Sequence, residues 1–179
     1  MIVATRARTV LAVLSISAAL CGPAGADEAD AGDAVTGRAA VIEGDTLRLR
    51  GQVVGLYGIV APAPGAACES ARGASIRCGA AAARALAERI GEGSLACEPR
   101  GRDRFDRLLA VCRKEGEDLG AWMVESGHAV ADRFHVRDYV AHEARAWSRR
   151  RGLWAGVFAD PTERGRVPYS AKRVSALDP

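Results

Sequence analysis

EGDTLRLRGQVVGLYGIVAPA, Glu43 to Ala63, is the stretch on which the reading of this chain turns. Its first arm, TLRLR, alternates apolar and polar side chains, as a strand with one buried face does. Arg50-Gly51-Gln52 supplies a turn, and VVGLYGI follows as a second strand-like run, so Val41 to Ile59 reads as paired strands. Asp45 follows a glycine and precedes a strand, where its carboxylate can bond nearby backbone amides as an Asx-turn. Beyond the hairpin, Ala61 to Arg77 is rich in Pro, Gly and Ala and reads as a loop.

Downstream, the period changes from two to about 3.6. Gly79 to Ile90 is expected to be a helix with Ala83, Leu86, Ala87 and Ile90 on one face, ended by Gly91. SLACEP and LLAVCRK form a second hairpin, Ser94 to Lys114, joined by the polar RGRDRFDR. Asp118 is placed to N-cap a helix from Leu119 to Ser126 that carries Trp122 and Met123 and stops at Gly127. After a short strand in HAVA, a last helix is expected from about Arg137 to Arg151. Val140, Ala144 and Trp147 would make its buried stripe and Gly152 its cap. Periodicity alone supports an α+β domain.

Outside that domain the chain carries an export signal by its composition. Arg6 and Arg8 precede the apolar run Thr9 to Leu20, and Ala24-Gly25-Ala26 fits a small-x-small cleavage site, so residues 1–26 read as a signal peptide. The run is shorter than the roughly 20 apolar residues a bilayer span needs, so no transmembrane segment is expected in the mature chain. Cys21 would suggest a lipoprotein, but the bulky Leu20 before it argues against lipidation. Residues 27–36 are acidic and small and read as a loose leader, 37–166 as the domain, and 167–179 as a tail.

The whole chain has 25 basic and 22 acidic side chains. Removing the signal leaves 23 against 22, so the mature protein lacks the basic excess typical of a nucleic-acid binder. Arg149, Arg150 and Arg151 are the one basic cluster, read as a solvated helix end whose charge suits the helix dipole. Four cysteines remain after the signal: Cys68, Cys78, Cys97 and Cys112. An even number in an exported chain argues for two disulfides, with three pairings open. Cys68–Cys78 would staple one loop, and Cys97–Cys112 would face each other across a hairpin; that set is favoured. A zinc site is the rival, but no CxxC spacing is present.

With GDT in one arm and LYGI followed by AP in the other, Glu43–Ala63 resembles the active-site hairpin of the thermonuclease (staphylococcal nuclease-like) family. The likeness extends over roughly Gly37 to Arg166. It runs through Cys78-Gly79 opening a helix, DRFDRLLAVC, DLGAWMVESGHAVA, Tyr139, EARAWSRRRGLWAGVF and Pro161. The resemblance implies a five-stranded OB-type barrel with about three packed helices. It also implies hydrolysis of DNA and RNA phosphodiester bonds with one calcium ion, which wants about six to eight oxygen ligands. A glutamate would activate or position the attacking water. Two arginines would hold the phosphate as charge develops.

Carried over residue by residue, those roles are unevenly filled. The first metal carboxylate matches Asp45, with Thr46 beside it and Glu43 at the second upstream position. The arginine that closes the DRxxR pattern matches Arg107. The other arginine falls on Gly55, the second metal aspartate on Val60, and the glutamate on Ala63. LYGI and AP fix the register on both sides, so a shifted alignment does not recover them.

The expectation is therefore an exported thermonuclease-like domain that has lost most of its catalytic set and serves as a binding or scaffold domain in the periplasm or outside the cell. No cofactor is expected. The alternative is a metal-dependent nuclease with a rearranged site, using calcium, or magnesium held by Glu43 and Asp45. Nucleic acid is a weak candidate partner, and the ligand or protein partner is open. Arg107 can also serve structurally by pairing with Asp103 or Asp106. His128, His135 and His142 read as exposed side chains without HExxH spacing, and Trp122, Trp147 and Trp154 as core or rim.

Overall fold

The computed structural model describes residues 33–163; the expected signal peptide, Cys21, leader residues 27–32 and the tail at 167–179 lie outside them. The strands are β1 (Val35–Glu43), β2 (Thr46–Leu49), β3 (Gln52–Leu56), β4 (Ile59–Val60), β5 (Cys68–Glu69), β6 (Ser75–Ile76), β7 (Ser94–Arg102), β8 (Leu108–Lys114), β9 (Glu117–Asp118) and β10 (Val130–Ala131). The helices are α1 (Cys78–Ile90), α2 (Leu119–Glu125) and α3 (Val140–Ser148). The main sheet runs β3-β2-β1-β7-β8-β9, and β3 also pairs parallel with β8. That pairing closes five strands into a barrel, the α+β architecture expected. Closure removes the open edges that a sheet must otherwise protect.

β2 and β3 are joined at Leu49 and Gln52 by Arg50-Gly51, both with positive φ, 51° and 84°. Such a turn matches the right-handed twist of the arms it connects. Leu47, Leu49 and Val54 from this hairpin are fully buried with Leu86, Leu95, Leu119, Met123 and Val124 in one core. The leader is shorter than the sequence suggested, because Val35 and Thr36 already pair with Cys97 and Ala96.

Two helices depart from their expected faces. α1 buries Cys78, Ala82, Leu86 and Ile90, one residue round from the expected stripe, and Ala87 is exposed. α3 is limited to nine residues and buries Glu143 and Ala146 behind Tyr139, while Trp147 is 66% exposed. Gly152 does not cap it; Arg149 occupies the C-cap, and Gly152 opens a short 3-10 turn instead. Glu143 displaces the expected stripe because it finds partners: its Oε1 accepts the Ala131 amide at 3.2 Å and its Oε2 accepts Arg133 Nε at 2.6 Å. A buried carboxylate so satisfied is tolerated where an unpaired one is not.

The expected α2 start stands. Asp118 Oδ1 accepts the Ala121 amide at 3.1 Å, and its Oδ2 takes the Tyr139 hydroxyl at 3.0 Å. Burial, then the neighbouring Asp118, raise the Tyr139 pKa far above that of a free phenol. Both favoured disulfides are present, Cys68–Cys78 and Cys97–Cys112, the latter at directly paired positions of β7 and β8. Such bonds form in oxidising compartments. The Ala61–Arg77 loop is not featureless, since β5 and β6 form a small hairpin within it. Among the described residues, no helix is long and apolar enough to cross a membrane.

Candidate functional site

The hairpin stands where it does because two glycines permit close backbone approach. A Cβ at Gly44 would lie 2.7 Å from both the Ala61 and the Ala82 Cβ atoms. At Gly79 it would lie 1.6 Å from the Ala63 carbonyl oxygen. The start of α1 therefore rests on the backbone of the APA segment, and only glycine fits there.

A cleft of about 690 Å³ opens beside the β2–β3 hairpin. It brings together Glu43, Asp45, Thr46, Gly55, Val60 and Arg107, six positions the sequence singled out. Ala63 stands apart from this lining. Its carbonyl accepts the Ala66 amide at 2.8 Å and packs against Gly79. His135 also lines the cleft, with three residues not singled out from sequence: Leu109, Phe105 and Arg102. They arrive through the parallel β3–β8 pairing and the β7–β8 turn, both set by tertiary structure.

The Asp45 carboxylate bonds across the hairpin as well as to its neighbour. Its Oδ2 accepts the Ala61 amide at 2.7 Å, across the hairpin, and its Oδ1 accepts the Thr46 hydroxyl at 2.9 Å. Opposite it, Gly55 pairs with Leu109, whose Cδ2 is 2.9 Å from where a Cβ at 55 would begin. A side chain at 55 would meet the tip of the half-buried Leu109 side chain, which must turn aside to admit it. Val60 is half-buried, pairs with Val130 and packs on the apolar cluster of Cys68, Cys78, Val130 and Leu153.

Arg107 Nε donates to Asp103 Oδ2 at 2.6 Å, fulfilling one of the two pairings expected for it. Asp103 Oδ1 accepts the amides of Phe105 and Arg107 at 2.8 and 2.9 Å. Burial pushes the Asp103 carboxyl upward, but the Arg107 amide and guanidinium and the Phe105 amide outweigh it and hold the pKa low. Phe105 projects from this turn, 66% exposed, with the Arg104 guanidinium 4.8 Å from its ring centroid.

Calcium takes oxygen ligands from carboxylates, carbonyls and water, and the family resemblance calls for a second metal carboxylate at Val60. Asp45 spends one oxygen on Ala61 and Val60 offers none, and among the described residues no group of three or more His, Cys, Asp or Glu is placed to hold a metal.

The histidines are less exposed than expected. His128 is half-buried with its ring 5.8 Å from that of Trp122, and burial lowers its pKa against the opposing pull of Glu88. His142 Nδ1 is 3.0 Å from Glu125 Oε2, and only His135 is well exposed. The basic cluster also folds back: Arg149 and Arg151 lie 3.7 and 3.8 Å from Glu125 Oε1, and Arg145 lies 3.0 Å from its Oε2. Arg145, then His142, keep the Glu125 carboxyl below its ordinary pKa.

The family model for staphylococcal nuclease homologues matches residues 54–156. The chain is also similar to the succinoglycan biosynthesis protein ExoI of Rhizobium meliloti (strain 1021), with 36% identity over 130 residues, covering 71% of this chain and 68% of that one.

Proposed function

The chain belongs to the staphylococcal nuclease homologue family, and from that membership we propose that it is an exported member that binds rather than cuts. The observation that carries this reading is the pair Gly55 and Val60. Where the family resemblance calls for an arginine and a metal aspartate, the cleft has a glycine beside the Leu109 side chain and a valine packed on an apolar cluster. Losing one charge-stabilising donor costs roughly a hundred- to a thousandfold in rate, and losing a general base about as much again or more. Asp45 and Arg107 survive, but each has a structural partner, Ala61 and Asp103.

Two disulfides support an oxidising location, and the charged-apolar-small pattern of residues 1–26 supports export. The name of the relative ExoI, a succinoglycan biosynthesis protein, supports a role connected with a glycan. The competing reading is a weakened nuclease in which Glu43 and Asp45 hold a divalent ion and Arg107 contacts phosphate. The test is incubation of the mature protein with single-stranded DNA and RNA, in calcium and then in magnesium or manganese. No cleavage above the metal-free control is the expected result. Metal-dependent cleavage abolished by both Asp45→Ala and Arg107→Ala would overturn the binding-only reading.

A further inference from the structure

A second concavity, about 620 Å³, lies between α3, the loop after β10 and the 3-10 segment that follows α3. It meets the cleft at Phe134 and Thr162, which line both. Aromatic rings form its walls. Trp147 and Phe134 are 66% and 60% exposed, and Trp154 packs edge-on to Phe158 with centroids 5.0 Å apart. A large exposed indole is poorly explained by stability, since water contact forfeits its burial energy.

Polar groups sit among the rings. Glu143, buried and paired with Arg133, is at the base, and Asp160 stands at the rim, its Oδ1 accepting the Thr162 amide and hydroxyl at 2.9 and 2.7 Å. The Trp154 Nε1 is buried and has no hydrogen-bond acceptor among the described residues.

We infer that this aromatic groove binds a neutral glycan. Pyranose rings with equatorial hydroxyls offer an apolar C–H face that lies flat on an indole. Their edges carry hydroxyls that carboxylates, guanidinium and N–H groups can bond. Rigid aromatic side chains supply that contact at low entropic cost, and the volume falls within the ~300–1,000 Å³ usual for small-ligand sites. The carboxylates of Glu143 and Asp160 outnumber the single Arg133 guanidinium, which disfavours a polyanion here and separates this groove from the arginine-lined cleft. This assignment deepens the binding-only reading by giving the domain a ligand class, yet it rests on different residues.

The test is isothermal titration calorimetry of the mature protein with cellohexaose, and in parallel with a thymidine oligonucleotide. Saturable binding of the hexaose is expected, weakened about tenfold or more by Trp147→Ala and largely kept by Trp147→Tyr. Trp147 is exposed, so its removal should leave the fold intact; Phe134→Ala, on the opposite wall, should also weaken binding. No saturable binding, binding indifferent to both alanine variants, or a Trp147-dependent affinity for the oligonucleotide alone overturns the proposal. Trp147-dependent self-association seen by sedimentation would assign the groove to a second copy and overturn it too. Phosphodiester cleavage accompanied by hexaose binding would sink the binding-only reading while leaving the groove assignment standing.

Discussion

The Asp45 carboxylate accepts the Ala61 amide at 2.7 Å and so ties the GDT arm of the hairpin to the segment that follows its second arm. The bond gives the surviving carboxylate a structural purpose. Asp45→Ala removes the acceptor of a partly buried N–H and should cost about 1–3 kcal/mol in denaturant unfolding. Asp45→Asn keeps an acceptor oxygen and should cost less. If both variants match the parent in stability, the bond contributes nothing and a ligand-binding role regains ground.

Calcium gives an independent check on the same residue. A ligand that binds only the folded state raises its melting temperature. With Val60 opposite and Asp45 engaged by Ala61, no shift is expected at millimolar calcium. A clear rise that disappears in Glu43→Gln would show that the remaining oxygens suffice for the ion.

On the binding-only reading, Leu109 sets the room for the first of the three charged side chains that the family resemblance calls for. Gly55→Arg, Val60→Asp and Ala63→Glu supply the missing groups, but Leu109 Cδ2 is 2.9 Å from the first atom of any side chain at 55. The triple variant should show little nuclease activity, and adding Leu109→Ala should raise it by at least about tenfold, or 1.4 kcal/mol of barrier. Equal rates for the triple and quadruple variants would mean that Leu109 yields freely and does not block the site.

Much of this was legible where the controlling interaction is local. The Arg50-Gly51 turn, the Asp118 cap and the Cys97–Cys112 pairing each depend on residues near in sequence or on strand alternation. What escaped was set by distant partners. Nothing in the period of α3 reveals that Glu143 will meet Arg133 and the Ala131 amide, so a tryptophan seemed the better buried residue. Leu109 reaches Gly55 only through the parallel strand pairing that closes the barrel. The cleft residues themselves were legible through family resemblance; their occupation by Ala61 and Leu109 was not.

His128 should make stability depend on pH. Burial lowers its folded pKa below the ordinary 6.5, so between those two values the unfolded chain binds more protons. Its contribution is therefore complete above about pH 6.5 and declines as pH falls toward the folded value. His128→Phe keeps a ring against Trp122 and should flatten this part of the stability profile, measured by urea unfolding across pH 5 to 7.5. An unchanged slope would place the titration in other groups.

The two disulfides close loops of similar length, with sequence separations of 10 and 15, so loop entropy gives each about 3 kcal/mol and does not distinguish them. Their surroundings do. Cys97 and Cys112 oppose each other within a ladder extending from Ala96–Arg113 to Arg102–Leu108, so the hairpin keeps its register without the bond. Cys68 and Cys78 hold a segment whose own ladder is only Cys68–Ile76 and Glu69–Ser75. Replacing Cys97 and Cys112 by alanine should lower global stability while leaving hydrogen-exchange protection evenly distributed. The same change at Cys68 and Cys78 should also release protection locally across residues 61–77. Uniform loss in both variants would mean that the β5–β6 segment unfolds only with the barrel, held there by the Glu69–Val157 bridge and the packing of Gly79 on Ala63.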